Sequence, residues 1–131
     1  MDYMFLLYSD ESKVAQLTDE QMAGIMSIHA TIQEDAKKRG IFKGARPLSR
    51  TSSAVTVTSA GGKTITTDGP YAETKEALGG YYILDCKDME EAKEWAARIN
   101  QTVCGTFVEI RAMVEVPSGE NCTHSEMVAK A

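Results

Sequence analysis

Apolar and polar positions follow two periods along this chain, and each change of period marks an element. Residues 3–8, Tyr-Met-Phe-Leu-Leu-Tyr, form a short apolar and aromatic run that stops at Ser9-Asp10-Glu11. This is the pattern of a buried first strand with two carboxylates at its C-terminal end. Beyond it the period lengthens. Thr18 and Gln21 make a capping box, and Met22, Ile25, His29, Ile32 and Ala36 recur every three or four residues up to Arg39-Gly40, which predicts a helix over residues 19–39. Residues 41–50 carry Gly44 and Pro47 with little periodicity and read as an irregular or edge segment. Two alternating stretches, Val55-Thr56-Val57-Thr58 and 63–67, flank Gly61-Gly62 and predict a hairpin whose second arm ends at Asp68.

Residues 80–86 alternate again, with Tyr82, Leu84 and Cys86 on one face and Tyr81, Ile83 and Asp85 on the other. Asp88 with Glu91 three positions on opens a second helix, whose stripe of Met89, Ala92, Trp95, Ala96 and Ile99 is expected to be buried. The last predicted strand, 107–116, puts Val108 and Ile110 on one face and mixes Phe107, Glu109, Arg111 and Met113 on the other. From Pro117 onward periodicity disappears, so residues 1–116 form the expected domain and 117–131 a peripheral tail, with His124 a poor catalyst. The order strand, helix, hairpin, strand, helix, strand matches an α+β fold of the ferredoxin-like kind: an antiparallel sheet with two helices on one face and an added strand. Two helices cover one face only. The mixed face of the last strand is therefore expected to meet a second subunit, in a homodimer.

Composition narrows the options without choosing among them. At 131 residues, 43% hydrophobic and 25% charged, the chain has the size and make-up of one soluble domain. No apolar run approaches the roughly 20 residues of a membrane-spanning helix, and the first residues lack the basic segment and cleavage site of a signal peptide. No membrane association and a cytoplasmic location are expected. A net charge of −5 argues against direct nucleic-acid binding, whose affinity comes from cations neutralising phosphates. The three cysteines, Cys86, Cys104 and Cys122, are odd in number and widely spaced, so reduced thiols are expected, with Cys86 a small core residue.

Candidate chemistry concentrates in residues 68–80, Asp-Gly-Pro-Tyr-Ala-Glu-Thr-Lys-Glu-Ala-Leu-Gly-Gly. Asp68-Gly69-Pro70 is turn chemistry, and Pro70 restrains both its own backbone and that of the residue before it. Ionisable and hydroxyl groups, Glu73, Thr74, Lys75 and Glu76 among them, then stand on a stiff scaffold; the plainer reading is a turn followed by a solvated edge. His29, on the apolar stripe of the first helix, should face the sheet, either as a core group or as an acid/base. Arg46 is either an ordinary surface arginine or a clamp for a carboxylate or phosphate. His29, Asp68, Glu73 and Glu76 include metal-ligand types, but no ligand spacing supports a metal site, and none is expected.

The run Asp68-Gly69-Pro70-Tyr71-Ala72-Glu73-Thr74-Lys75-Glu76, followed by Gly79-Gly80-Tyr81-Tyr82, resembles the signature of the DGPF group of the YCII-related family, with Tyr71 where the group usually has Phe. The resemblance runs in order over residues 3–116. It includes Tyr8-Ser9-Asp10-Glu11, Glu94-Trp95-Ala96-Ala97-Arg98 and Val108-Glu109-Ile110-Arg111; Asn100 and Ala112 stand where the family commonly has proline. It implies a homodimer in which two sheets form an α/β barrel. It also implies an active-site pair made of a histidine on the first helix, matched here by His29, and an acidic partner.

Two functions follow as expectations. One is a small cofactor-free enzyme acting on a small polar or aromatic substrate. In it His29 is the general acid/base, Asp68 orients it or takes the proton, and Tyr71, Glu73, Lys75, Tyr81 and Arg46 hold the substrate. The other is a non-catalytic small-molecule-binding or regulatory module, which suits the family's tendency to occur beside genes for extracytoplasmic sigma-class transcription factors.

Overall fold

The computed structural model describes residues 1–102 and 107–116. Strand β1 (Asp2–Asp10) runs into a short helix α1 (Glu11–Ala15) and then the long helix α2 (Asp19–Lys38); strand β2 (Phe42–Pro47) follows. A 3-10 turn at Thr51–Ser53 leads into the hairpin β3 (Val55–Ala60) and β4 (Lys63–Asp68). The chain then continues as β5 (Glu76–Asp85), α3 (Met89–Asn100) and β6 (Phe107–Ala112). The four-stranded sheet has the order β2-β5-β1-β6 with every neighbouring pair antiparallel. That is the ferredoxin-like α+β arrangement.

Side-chain alternation decides which face carries the helices. Tyr3, Phe5 and Leu7 of β1 and Tyr82 and Leu84 of β5, with Cys86 just beyond it, are buried; they pack with Ile32 and Ala36 of α2 and with Ala92, Trp95, Ala96 and Ile99 of α3. Cys86 is a core thiol, and burial pushes its pKa up to about 11. Trp95 is a core residue covered by guanidinium groups: Arg98 lies 4.6 Å and Arg39 5.4 Å from its ring. Arg98 also donates to Asp35 at 2.6 Å, which ties α3 to α2. The capping box at Thr18 and Gln21 forms, and Asp88 accepts a hydrogen bond from the Glu91 amide. Gly40, with φ of 72°, ends α2 in a conformation that a residue with a Cβ resists.

Four local features sharpen the sequence reading or depart from it. Residues 42–47 form a true strand at the sheet edge, where Pro47 is tolerated because no further strand needs its missing amide. The 55–68 hairpin does not join the main sheet; it makes a two-stranded sheet of its own. The β5 strand begins at Glu76, four residues before the expected start, so the loop after Asp68 is short. A helical turn, α1, follows Asp10 directly. Each depends on pairing between segments far apart in sequence or on a single cap. In this single chain Phe107 is 63% exposed and Met113 37%, so the mixed face stays open. Cys104, Cys122, His124 and the tail from 117 lie outside the described residues.

Candidate functional site

The C-terminal half of α2 lies on the sheet through Ile32 and Ala36. One turn before Ile32 on the same stripe is His29, half-buried. Beneath it β5 presents Tyr82, only 2% exposed. His29 Nδ1 and the Tyr82 hydroxyl share a hydrogen bond of 2.6 Å, with the rings stacked at 5.7 Å and 18°. Burial alone holds the His29 pKa below its ordinary value; no charged neighbour contributes. Burial also raises that of Tyr82, opposed by the neighbouring Gln33 side chain. Desolvation disfavours the charged form of both groups, so near neutral pH the pair is an imidazole and a phenol, both uncharged.

This pair borders a cavity of about 170 Å³, with Leu7, Met26, Ala45, Pro47 and Gly80 supplying apolar wall. Gly80 lets β2 approach: a Cβ there would lie 3.0 Å from the Arg46 carbonyl oxygen. Arg46 and Tyr81 also line the cavity and are cross-strand partners. They are one step out of phase with Ala45 and Tyr82, so strand alternation turns their side chains to the opposite sheet face.

Of the predicted site residues, His29, Arg46 and Tyr81 border this cavity, but only His29 points its side chain to the face under α2; the other predicted residues lie elsewhere. Asp68 is exposed at the end of β4, opposite Val55, and is not among the residues around His29. The reason is the detached hairpin: its arms pair with each other and not with the sheet under α2. Tyr71, 91% exposed, and Glu73 line a second, larger cavity of about 710 Å³ at the hairpin's base, whereas Lys75 is exposed and lines neither.

Two features were missed in the sequence. Tyr82 shares the buried face with Leu84 and Cys86, a parity that points it at the helix that carries His29, but the sequence reading gives it no partner. Asp10 is buried; it caps α1 by accepting hydrogen bonds from the Ser12 amide and hydroxyl at 2.9 and 2.6 Å. The Ser12 hydroxyl is the main reason its pKa falls below the ordinary value. An Asp two residues before a Ser at a strand exit is a readable cap signal. Among the described residues no group of three or more His, Cys, Asp or Glu is arranged to hold a metal ion. None of their helices is long and apolar enough to cross a membrane.

With the geometry in hand, similarity to other proteins becomes informative. The profile of the YCII-related domain matches residues 1–116, from the first strand through the last. The chain belongs to the YCII-related family. It is also 32% identical over 121 residues to an uncharacterized protein of Rhizobium meliloti (strain 1021), an alignment covering 92% of this chain and 98% of that one. Every element around His29 and Tyr82 falls inside the YCII-related match.

Proposed function

We propose that this YCII-related protein is a small enzyme in which His29, partnered by Tyr82, transfers a proton to or from a small polar or aromatic substrate held in the cavity under α2. The observation that carries this reading is the 2.6 Å hydrogen bond between two groups that burial keeps uncharged. If the phenol donates to Nδ1, the other ring nitrogen holds a proton; if Nδ1–H donates to the phenol oxygen, that nitrogen offers a lone pair. Both tautomers suit a general acid/base working near neutral pH. A volume of about 170 Å³ is below the roughly 300–1,000 Å³ typical of drug-sized sites, so the substrate is small. In this reading Tyr82 takes the place that the sequence expectation gave to Asp68. The Asp68-Gly69-Pro70-Tyr71 turn supports membership of the DGPF group. The open face of Phe107 and Met113 supports a homodimer, which sedimentation at micromolar concentration tests.

One observation favours a second reading, a non-catalytic binding or regulatory module: no carboxylate contributes to the titration of His29. A metabolite screen by thermal shift separates these readings, because binding to the native state alone raises its stability. The expected hit raises the melting temperature of wild type and of Asp68→Asn but not of His29→Gln. Protection that survives His29→Gln removes this cavity from consideration. Mass spectrometry of the hit after incubation then decides between turnover, lost in His29→Gln, and binding without change, which selects the module.

A further inference from the structure

Three polar side chains meet under α2, and the function proposed above uses two of them. Of the polar residues that line the smaller cavity, His29, Gln33 and Tyr82 belong to the helix side of the sheet, since Arg46 and Tyr81 are turned to the other face. Gln33 stands four residues after His29 on α2, the spacing that stacks side chains on one helix face. Both reach the Tyr82 hydroxyl. His29 Nδ1 lies 2.6 Å from it, and the Gln33 side chain forms a hydrogen bond with it that opposes the rise in pKa caused by burial. A neighbour that lowers a phenol's pKa stabilises the phenolate, so Gln33 meets the oxygen with its N–H and not with its carbonyl.

A phenol oxygen accepts from two donors but has one hydrogen to give. With Gln33 donating, that hydrogen needs an acceptor, and His29 Nδ1 is the one that the described residues offer. The opposite arrangement, with Nδ1–H and Gln33 both donating, would strand the hydroxyl hydrogen of a side chain only 2% exposed. The distance agrees: 2.6 Å is shorter than the roughly 2.7–3.2 Å of a nitrogen donating to oxygen and ordinary for a hydroxyl donor. We infer that Gln33 is a positioning residue that fixes the tautomer of His29, with Nδ1 accepting from Tyr82 and the proton on Nε2, so that the resting histidine meets its substrate as a donor. Nε2 makes no hydrogen bond among the described residues. The inference rests on the acid/base reading for its use, and it narrows that reading to substrates with an oxygen that gains negative charge, a carbonyl or a leaving-group oxygen. As Nε2–H passes its proton to that oxygen, the Tyr82 proton crosses to Nδ1. The ring stays neutral, the net transfer is one proton from phenol to substrate, and the phenolate keeps the Gln33 hydrogen bond.

Nitrogen-15 NMR of the full chain at about pH 8, where the ring is neutral, reads the tautomer directly, and His29→Gln separates its signals from those of His124. Wild type is expected to hold Nε2–H over Nδ1–H by at least about tenfold, the factor for stranding one buried donor. Gln33→Met, similar in length but without a donor, should bring the ratio within about threefold. Gln33→Glu, an acceptor alone, should draw the hydroxyl hydrogen to itself and reverse the ratio in favour of Nδ1–H. Gln33 is half-buried, and melting curves recorded beside each spectrum verify folding; a residue that served packing alone would change the melting temperature and leave the ratio where it was. An excess of Nδ1–H in wild type, or a ratio that either variant leaves unchanged, overturns the inference, while His29 would remain an acid/base that begins as a base. The thermal-shift screen decides that reading separately: protection that survives His29→Gln removes it and leaves the tautomer assignment in place.

Discussion

The two cavities lie a single residue apart along the chain, at Pro47 against Leu48 and at Gly79 against Leu78, yet they are opposite in design. The one under α2 is small, walled by apolar side chains, and has as its chemistry a neutral imidazole–phenol pair that is part of the core packing. The one at the hairpin base is larger, lined by hydroxyls and by carboxylates that form no ion pair among the described residues, and its side chains carry little of the fold. The difference shows how one sheet serves two purposes. The face under the helices acquires chemistry at the cost of burying polar groups, which must then satisfy each other. The open face, to which strand alternation turns Tyr8 of the second cavity, can hold charge because in the single chain water reaches it.

Substitutions should therefore affect stability very unequally, and the largest effect belongs under α2. Tyr82→Ala should lower unfolding stability by about 3–5 kcal/mol, as removal of a buried aromatic does, while Tyr82→Phe, which loses only the partner of His29, should cost about 1–2 kcal/mol. Denaturant titration reads both. Equal losses would mean that the hydroxyl, not the ring, carries the packing.

Next comes the boundary between the cavities. Gly80→Ala places a methyl 3.0 Å from the Arg46 carbonyl oxygen, and overpacking against backbone should cost about 1–3 kcal/mol. Gly24→Ala, in mid-helix with open space around it, should instead stabilise slightly, by up to about 1 kcal/mol. A neutral Gly80→Ala would show that β2 moves freely at the sheet edge.

Acid should distinguish the two regions more gently. The pKa of His29 in the folded chain lies below its ordinary 6.5, so the unfolded chain takes up that proton first. Stability contributed by the neutral ring is present above 6.5 and fades as pH falls from there through the folded pKa, a slope that His29→Gln should remove. Asp10 and Asp35, lowered from 3.8 by hydrogen bonds from Ser12 and Arg98, lose their contribution only below that value. Melting temperatures of wild type and variant that run parallel between pH 7 and 5 would sink this assignment.

The smallest effect should be at the second cavity. Glu73→Gln with Glu76→Gln should change stability by no more than about 0.5 kcal/mol, since both lack ion-pair partners among the described residues. A larger loss would give these carboxylates a structural role and blur the contrast between the faces.

Local rules suffice for what repeats or caps within a few residues. The apolar stripe of α2, its Thr18–Gln21 box and Gly40 stop, the Asp88 cap, the burial of Trp95 and Cys86, and the opposed faces of β5 and β6 all follow from side-chain period and cap chemistry, and they fix the fold class. The turn at Asp68-Gly69-Pro70 was legible for the same reason. What the chain's order could not decide was distance across it. Whether Asp68 or Tyr82 meets His29 depends on whether the 55–68 hairpin joins the main sheet or pairs with itself, and alternating Thr and Val residues suit both. Tertiary pairing took the edge position for β2, with Gly80 admitting its backbone, and detached the hairpin. Thus His29 received a phenol from the strand beneath it, while the acidic loop lines the separate cavity at the hairpin base.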